Sequence, residues 1–385
     1  MKNQLLLQRF IFEHKNWEDI LTASPYCLSI SRDNMFNKRL ILFKYSQVES
    51  DLNIQLVREC RGIILDEDTF EVVSHPFDKF GNYGEQYADS IDWKNCWVQE
   101  KLDGSLCKVV KINDQLLWST NGMIDAEKAQ LPVQFGCDYK NFKELINIAI
   151  KNAGFSDEQE FSLLLNDNTT YMFELTSRYN RIVVKFDEPQ LHYLGLRNNI
   201  TNQETTFIEY DPFNGKFNKP KVYSLSTLDE CIEAAKAMDG NAEGYVVCDK
   251  NYKRIKVKSP MYCSIHHLRD DSGVISYRRA LEIIEKNEVD EILTYFPEYK
   301  IYFDELSDKL HNTLLMLESF WINFKQINLE TRREQALYII KHMKKYSGLL
   351  FSMLDGKISS FRDGLFKMYP KNKLLELLND DKKDE

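Results

Sequence analysis

The chain of 385 residues lacks several features that would each point to a class of protein. It has no excess of basic residues: its formal net charge is −9, so any contact with nucleic acid must come from local basic patches. Its eight cysteines include no Cys-x-x-Cys pair, which argues against a zinc site and predicts reduced thiols in a cytoplasmic protein. Internal repeats are absent, and the N-terminal stretch Met1–Glu13 resembles neither a signal peptide nor a membrane span.

The remaining composition is that of an ordinary globular chain, with 43% hydrophobic and 28% charged residues. Helical patterns are predicted over residues 1–24 and 138–155, and most of the chain up to about residue 270 shows short apolar runs typical of strands. From about Ser276 onward the apolar residues recur at helical spacing without a strand pattern. The sequence therefore predicts an α+β domain over 1–270 and an all-α domain over 271–385.

The most informative stretch is Lys101-Leu102-Asp103-Gly104-Ser105-Leu106, which lies between two apolar runs that are typical of strands. A lysine at such a junction, followed by a carboxylate and a glycine, can face a pocket and act as a nucleophile. The amine attacks only when neutral, so the site must lower its ordinary pKa of about 10.4. A tight surface turn with a solvated lysine explains the same pattern equally well, because Asp-Gly is also a hairpin signal.

Other charged residues interrupt apolar strand patterns. Glu174 lies inside Tyr171–Leu175, and Glu243 comes just before another apolar strand; such an acid either faces water or is buried and paired. Lys256 and Lys258 are two residues apart, so on a strand both ammonium groups face the same side. They repel each other unless an anion binds there, and a solvated edge strand is the simpler alternative.

Two more basic residues lie near aromatic or apolar segments. Arg61 begins the apolar strand that runs through Leu65. Lys79 lies in Phe77–Glu85, a segment with two glycines and three aromatic residues that suits a loop whose backbone approaches a flat ligand. An aromatic surface loop without a ligand accounts for that segment as well.

Together these stretches resemble the covalent nucleotidyltransferase superfamily of RNA ligases, DNA ligases and messenger-RNA capping enzymes. Lys101–Gly104 is similar to the nucleophile motif, Phe173-Glu174 to the third motif, and Glu243-Gly244 to the fourth. The pair of Lys256 and Lys258 is similar to the fifth motif, and the order and spacing agree. Four motifs in register are far more specific than any one of them.

Within the superfamily, the resemblance is to the T-even phage RNA ligase 1 family, and it covers roughly residues 35–270. The segments that carry it are Glu59-Cys60-Arg61-Gly62-Ile63, Lys79-Phe80, Asn180-Arg181-Ile182-Val183, Glu243-Gly244-Tyr245-Val246 and Lys256 to Tyr262. The resemblance implies an N-terminal adenylyltransferase domain built on antiparallel β-sheets with flanking helices, followed by a helical C-terminal domain that contributes to the choice of RNA.

The resemblance also implies the reaction and the ligands. Lys101 would attack the α-phosphorus of ATP, and the AMP would pass to an RNA 5′-phosphate before a 3′-hydroxyl seals the strand. Mg²⁺ is the expected metal ion, and Mn²⁺ is an alternative. The residues implied to bind nucleotide or metal, or to catalyse the reaction, are Tyr45, Arg61, Lys79, Lys101, Asp103, Gly104, Glu174, Glu243, Lys256 and Lys258.

The implied partners are RNA ends, with transfer RNA as one candidate substrate in RNA repair, and an end-healing kinase-phosphatase. The chain departs from the family at Asn121, where family members carry a basic residue before the glycine. Asp290-Glu291 corresponds either to an acidic pair that binds metal in the family's helical domain or to an ordinary pair on a helix surface.

Three alternatives to an RNA ligase stay open at this point. DNA ligases and guanylyltransferases share the motifs but usually carry an oligonucleotide-binding barrel after the fifth motif, where this sequence predicts helices. A nucleic-acid-binding protein on a catalytically idle ligase scaffold is a second alternative, and the intact set of motif residues argues against it. A protein-modifying AMP transferase would form the same lysine adduct without needing an RNA end.

Overall fold

The computed structural model describes residues 4–131, 139–180, 184, 186–238, 242–267, 276–295, 299–327 and 329–379. The chain divides into two compact units, Met1–His266 and His267–Glu385. Residue 270, the predicted domain boundary, and residues 181–183 of the motif after Asn180 lie outside the described residues.

The first unit contains thirteen described strands in three antiparallel sheets. The strands are β1 Leu28–Met35, β2 Lys38–Tyr45, β3 Arg61–Asp66, β4 Val72–Ser74, β5 Cys96–Glu100, β6 Ser105–Ile112, β7 Gln115–Thr120, β8 Thr169–Thr176, β9 Gln190–Asn198, β10 Glu204–Thr206, β11 Val222–Tyr223, β12 Gly244–Asp249 and β13 Arg254–Lys258.

The strand order defines the three sheets. Sheet 1 has the order β1-β2-β3-β4, sheet 2 has β10-β9-β8-β6-β7, and sheet 3 has β11-β5-β12-β13. Neighbouring strands within each sheet pair in antiparallel fashion. The predicted α+β class with antiparallel sheets is thus confirmed.

The helices of the first unit flank these sheets. They are α1 Leu6–Glu13, α2 Trp17–Thr22, α3 Gln55–Glu59, α4 Phe142–Asn152, α5 Glu158–Ser162, α6 Leu228–Lys236 and α7 Pro260–His267. The helix predicted over 1–24 is two helices, because the chain leaves the helical conformation at His14, whose φ and ψ are −124° and 114°. The helix predicted over 138–155 is the shorter α4, which begins after Asn141 caps the backbone N–H of Glu144.

The burial of each strand depends on which faces of its sheet are covered. The core of sheet 2 is a set of aromatic rings, including Trp118, Phe161, Phe173 and Tyr193, packed against the apolar face of α4. The strands β2 and β3 carry consecutive buried residues because both faces of sheet 1 are covered. One face packs on α1–α3, and the other contacts residues of β6 and β7. Sheets 1 and 2 therefore share a core, and this fixes the position of the strand ends that carry the site.

The second unit is helical in its described part, as the sequence predicts. Its helices are α8 Tyr277–Glu285, α9 Val289–Tyr295, α10 Lys300–Gln326, α11 Arg332–Met343, α12 Ser347–Leu354, α13 Phe361–Met368 and α14 Lys371–Asn379, with a 3-10 turn at Lys344–Tyr346. Leucines from several helices form its interior, among them Leu306, Leu349 and Leu365. None of the helices in the described parts of the chain is long and apolar enough to cross a membrane.

Candidate active site

Lys101 lies where the chain leaves one sheet and enters another. The preceding strand β5 belongs to sheet 3 and the following strand β6 to sheet 2, so Lys101–Gly104 is a crossing between sheets and not a hairpin turn. The backbone N–H of Lys101 donates to the carbonyl oxygen of Gly244 at 2.9 Å, which extends the pairing of β5 with β12 by one residue. The side chain is 20% exposed. The surface-turn alternative is therefore excluded.

Gly104 is needed for the close approach of this crossing segment to β8. A Cβ atom built on Gly104 would lie 2.4 Å from the carbonyl oxygen of Leu175 and 3.1 Å from Cγ of Glu174. Any side chain at this position would push Lys101 and Glu174 apart. The glycine thus brings the backbone next to Lys101 against the strand that carries the acid.

Glu243 joins two of the predicted cations. Its carboxylate lies 2.6 Å from Nζ of Lys101 and 3.5 Å from Nζ of Lys258, and it is only 5% exposed. Gly244 pairs with Lys258 across β12 and β13, and this register places the acid and the lysine side by side. Of the two options for an acid beside an apolar strand, Glu243 takes the buried and paired one.

Lys256 is on an edge strand, but the edge is not open to water. The backbone N–H of Lys256 donates to Gly81 at 3.0 Å, and its carbonyl accepts from Tyr83 at 2.8 Å, so the glycine-rich loop covers β13. Its ammonium group lies 5.2 Å from the centre of the Phe80 ring, and among the described residues no carboxylate is within ion-pair distance. Burial lowers the pKa of Lys256 well below its usual value, and the charges of Lys79 and Lys101 add to this effect.

Glu174 faces the same region from β8, opposite Leu106 of β6. Within the described part of the chain its carboxylate makes neither a hydrogen bond nor an ion pair. Burial raises its pKa to about 7; Lys101 opposes the shift and the charge of Glu243 adds to it. An acid that has no protein partner in a sheltered position is suited to bind a hydroxyl group or a hydrated metal ion.

Of these residues, Lys101, Gly104, Glu174 and Lys256 line a cavity of about 420 Å³, here named the Lys101 cavity, whereas Glu243 and Lys258 are not part of its lining. Its polar lining includes Arg61, Lys101, Glu174, Asn121 and Lys256, and its apolar lining includes Phe77, Phe80, Leu106, Leu194 and Val246. The volume is in the range of cavities that bind small ligands. Nη1 of Arg61 and Oδ1 of Asn121 are buried without a hydrogen-bond partner, so two polar atoms of the lining are available to a ligand.

Lys79 and Tyr45 lie beside the Lys101 cavity. Lys79 lines a second cavity of about 420 Å³, which shares Phe80 and Arg254 with the first. Its ammonium group lies 5.4 Å from the centre of the Tyr45 ring, a cation–π contact. Their predicted contact with nucleotide stays a prediction.

Asp103 is engaged with protein groups. One carboxylate oxygen accepts from the hydroxyl of Tyr262 at 2.8 Å, and the other accepts from the backbone N–H of Val184 at 2.7 Å. The first bond ties the segment after Lys101 to α7, and the second ties it to Val184. A direct contact between Asp103 and a nucleotide stays a prediction.

Asp290 and Glu291 lie in the other unit, in the first turn of α9. Asp290 is exposed and Glu291 is 4% exposed. In the described ranges no group of three or more histidine, cysteine or acidic side chains is placed to hold a metal ion. Metal binding by this pair remains a prediction.

Two lysines at the cavity were missed by sequence reasoning. Nζ of Lys44, on β2, would lie 3.4 Å from a Cβ atom built on Gly122, which lines the Lys101 cavity. Lys108, on β6, is fully buried behind Arg61. The one available signal was a lysine in the middle of the apolar run Leu106–Val110, which is unusual for a strand covered on both faces.

A model of the protein family described as RNA ligase matches residues 59–262, more than half of the chain. The chain belongs to this RNA ligase family, of the T4 RNA ligase 1 type. The matched segment runs from the residues before Arg61 through Lys258 to Tyr262, so it contains the Lys101 cavity. The predicted family is confirmed.

Three individual relatives of this RNA ligase family member share between 15% and 34% sequence identity with it. A putative bifunctional polynucleotide kinase/RNA ligase of Autographa californica nuclear polyhedrosis virus is 34% identical over 279 residues, which cover 68% of this chain but only 38% of that protein. An RNA ligase of Rhodothermus phage RM378 is 26% identical, and the match covers 77% of this chain and 81% of the phage protein. Among solved structures, an archaeal ATP-dependent RNA ligase is 15% identical, with a TM-score of 0.44 and coverage of 89% and 90%.

Proposed function

We propose that this protein is an ATP-dependent RNA ligase. The observation that carries the proposal is the convergence of Lys101, Glu174 and Lys256 from three different strands or strand junctions on one cavity of about 420 Å³. Nucleotidyl transfer is accelerated chiefly by alignment and by neutralisation of phosphate charge. A nucleophilic amine beside unpaired cations provides both.

In the first step Nζ of Lys101 attacks the α-phosphorus of ATP, and pyrophosphate leaves as the phosphoramidate bond forms. The attack requires a neutral amine, so the 2.6 Å contact with Glu243 must open or pass the proton to the carboxylate. Lys256 and Lys258 supply positive charge to the α-phosphate. Phe80 and Val246 form the apolar walls that suit a flat base.

The site also fits a divalent metal ion. Mg²⁺ usually binds one or two carboxylates together with substrate phosphates and keeps several waters. Glu174 has no described protein partner and is close enough to Glu243 for the two charges to interact. These acids would hold the ribose or a water molecule bound to the metal ion. When bound, Mg²⁺ or Mn²⁺ would neutralise charge on the triphosphate.

In the later steps AMP passes from Lys101 to an RNA 5′-phosphate, and an RNA 3′-hydroxyl then displaces AMP. The role in RNA repair, transfer RNA as substrate, the cytoplasmic location and the contribution of the helical unit to RNA choice are parts of this proposal. The kinase named in the baculovirus relative supports a functional link to an end-healing enzyme, since this chain matches only 38% of that protein.

The test is incubation with α-labelled ATP or GTP and Mg²⁺, followed by a denaturing gel and a chase with 5′-phosphorylated RNA. We expect an ATP-derived label on the wild type and none on Lys101→Ala. When RNA is added, the label should pass to the RNA 5′-phosphate and then be released as AMP while the RNA is sealed. A label that neither passes to RNA nor leaves as AMP would favour a protein AMP transferase. A folded, AMP-free protein that takes no label under varied metal and pH would instead be an idle binding scaffold.

A further inference from the structure

Lys108 is a buried cation that the proposed mechanism does not use. It lies on β6, is 0% exposed, and its ammonium group donates to the carbonyl oxygen of Gly62. In the part of the chain that the structure describes, no carboxylate lies within ion-pair distance of it. Burial of an ammonium group without an acid partner is costly, so a purely structural role would be better served by an apolar side chain.

The carbonyl that Lys108 binds is left over from the pairing of sheet 1. The register between β2 and β3 shifts between Phe43 and Lys44, so Ile63 and Arg61 have partners on β2 while Gly62 has none. Gly62 has a φ of +80°, and a Cβ atom there would lie 2.6 Å from the carbonyl oxygen of Asn121. Only glycine fits this conformation and this approach. Lys108 thus fixes the residue of β3 at which the pairing with β2 is irregular.

The residue beside this bulge is Arg61, which lines the Lys101 cavity. Its guanidinium carbon lies 5.3 Å from the centre of the Phe80 ring, and Nη1 is buried without a hydrogen-bond partner. The side chain is therefore held in the cavity mainly by the course of its own backbone. That course depends on the bulge at Gly62.

We propose that Lys108 is a positioning residue that sets the guanidinium of Arg61 for ATP by holding the carbonyl of Gly62. The inference rests on the proposed function, because it takes the Lys101 cavity as the ATP site. It adds a residue of β6 that does not itself line the cavity to the set that determines nucleotide affinity. Without Lys108 the bulge relaxes, and Arg61 loses its fixed direction.

The electrostatics agree with this assignment. Burial lowers the pKa of Lys108 to about 7, and the nearby charge of Arg61 lowers it further in the same direction. A methionine has similar length and no charge to desolvate, so Lys108→Met removes the bond to Gly62 without leaving a buried charge behind. The cost of leaving the Gly62 carbonyl without its donor is offset by removal of the buried charge, so stability should change little and the effect should appear in ATP binding.

The experiment is a double-mutant cycle on ATP affinity in the full chain, measured by titration calorimetry. Lys108→Met should weaken ATP binding about tenfold, and Arg61→Ala should weaken it at least as much. If Lys108 acts through Arg61, adding Lys108→Met to Arg61→Ala has no further effect. Lys111→Met is the matched control, because it removes the same charge from the same strand at a residue that pairs with Asp167 and lies outside the Lys101 cavity.

Rescue gives a second readout. Lys108→Gln retains a donor and should bind ATP more tightly than Lys108→Met, while lysine adenylylation at saturating ATP should stay within about threefold of wild type in both. Unchanged ATP affinity in folded Lys108→Met, or an effect that adds to that of Arg61→Ala, would overturn the inference. Failure of both Lys108 variants to fold would assign the residue a structural role instead.

The outcomes separate this inference from the proposed function. If the wild type binds ATP but forms no lysine adduct, the ligase proposal fails while the cycle on ATP affinity still decides the role of Lys108. If the adduct forms normally and Lys108→Met binds ATP as the wild type does, only the positioning role fails. A wild type that binds no ATP would remove both.

Discussion

The first unit contains two buried clusters of cations that differ in how their charge is balanced. In one, Glu204 lies between Arg197 and Arg254, and Asp78 lies near His75 and Arg197. In the other, Arg61 and Lys256 line the Lys101 cavity and Lys108 is buried near Arg61, and the described residues supply none of the three with an ion pair. Removing one partner of a balanced buried pair destabilises a fold, whereas a cation that is already uncompensated costs stability and is suited to bind an anion.

The two clusters differ in the role that their charges can have. The Glu204 cluster joins β9, β10 and β13 and thereby connects sheet 2 with sheet 3. The cations of the Lys101 cavity connect little. Burial is the main cause of the lowered pKa of Lys256, and repulsion by Lys79 and Lys101 lowers it further. Their arrangement makes sense when a triphosphate occupies the cavity.

The largest expected effect tests whether the cations of the Lys101 cavity serve catalysis. Lys256→Met should slow lysine adenylylation at least 100-fold, because a cation near the α-phosphate is lost; removal of one preorganised charge-stabilising group typically costs this much. The melting temperature should stay the same or rise, because an uncompensated buried charge is removed. The measurements are single-turnover labelling with α-labelled ATP and thermal unfolding without ATP. A clear drop in melting temperature would place Lys256 with the structural cations.

A second substitution tests whether the Glu204 cluster stabilises the fold. Glu204→Gln should destabilise the fold by about 3 kcal/mol, because it leaves Arg197 and Arg254 buried without their shared acid. Urea denaturation measures this change. The surface substitution Glu233→Gln, which removes an exposed ion pair with Lys236, is the control and should change stability by less than about 0.5 kcal/mol. Equal effects of the two variants would contradict the assignment.

A third substitution tests a pH dependence at Glu174. Its pKa is raised to about 7 in the folded state, above its ordinary value of 4.5, so the folded state binds the proton more tightly than the unfolded state. The contribution of Glu174 to stability is thus present below pH 4.5 and is lost as the pH rises through 7, with a slope of up to about 1.4 kcal/mol per pH unit.

Glu174→Gln has no ionisable group at this position. Its stability relative to the wild type should therefore rise as the pH is raised from 5 to 8, as measured by urea denaturation without ATP and metal. Glu100→Gln provides a comparison at another acid that lines the Lys101 cavity. If the difference in stability between wild type and Glu174→Gln does not change with pH, the carboxyl group is hydrated in the folded state and burial does not raise its pKa.

Much of the fold followed from local patterns. The strands around Leu40–Phe43, Ile63–Leu65 and Tyr171–Leu175 were predicted because runs of apolar residues bounded by turn residues favour strands whatever the rest of the chain does. The helical texture after Ser276 was likewise visible in the spacing of apolar residues. The break between α1 and α2 was missed, because both helices carry similar patterns on either side of it.

The candidate site was predictable in its members and less so in its arrangement. The sequence by itself determined the order and spacing of Lys101, Glu174 and Lys256, because chemical identity and position in a motif are local properties. Only the tertiary structure decided that the Lys101 segment crosses between two sheets, that Glu243 pairs with Lys101, and that Lys108 holds Gly62. The physical reason is that burial and ion pairing depend on groups far apart in the chain, and packing alone brings them together.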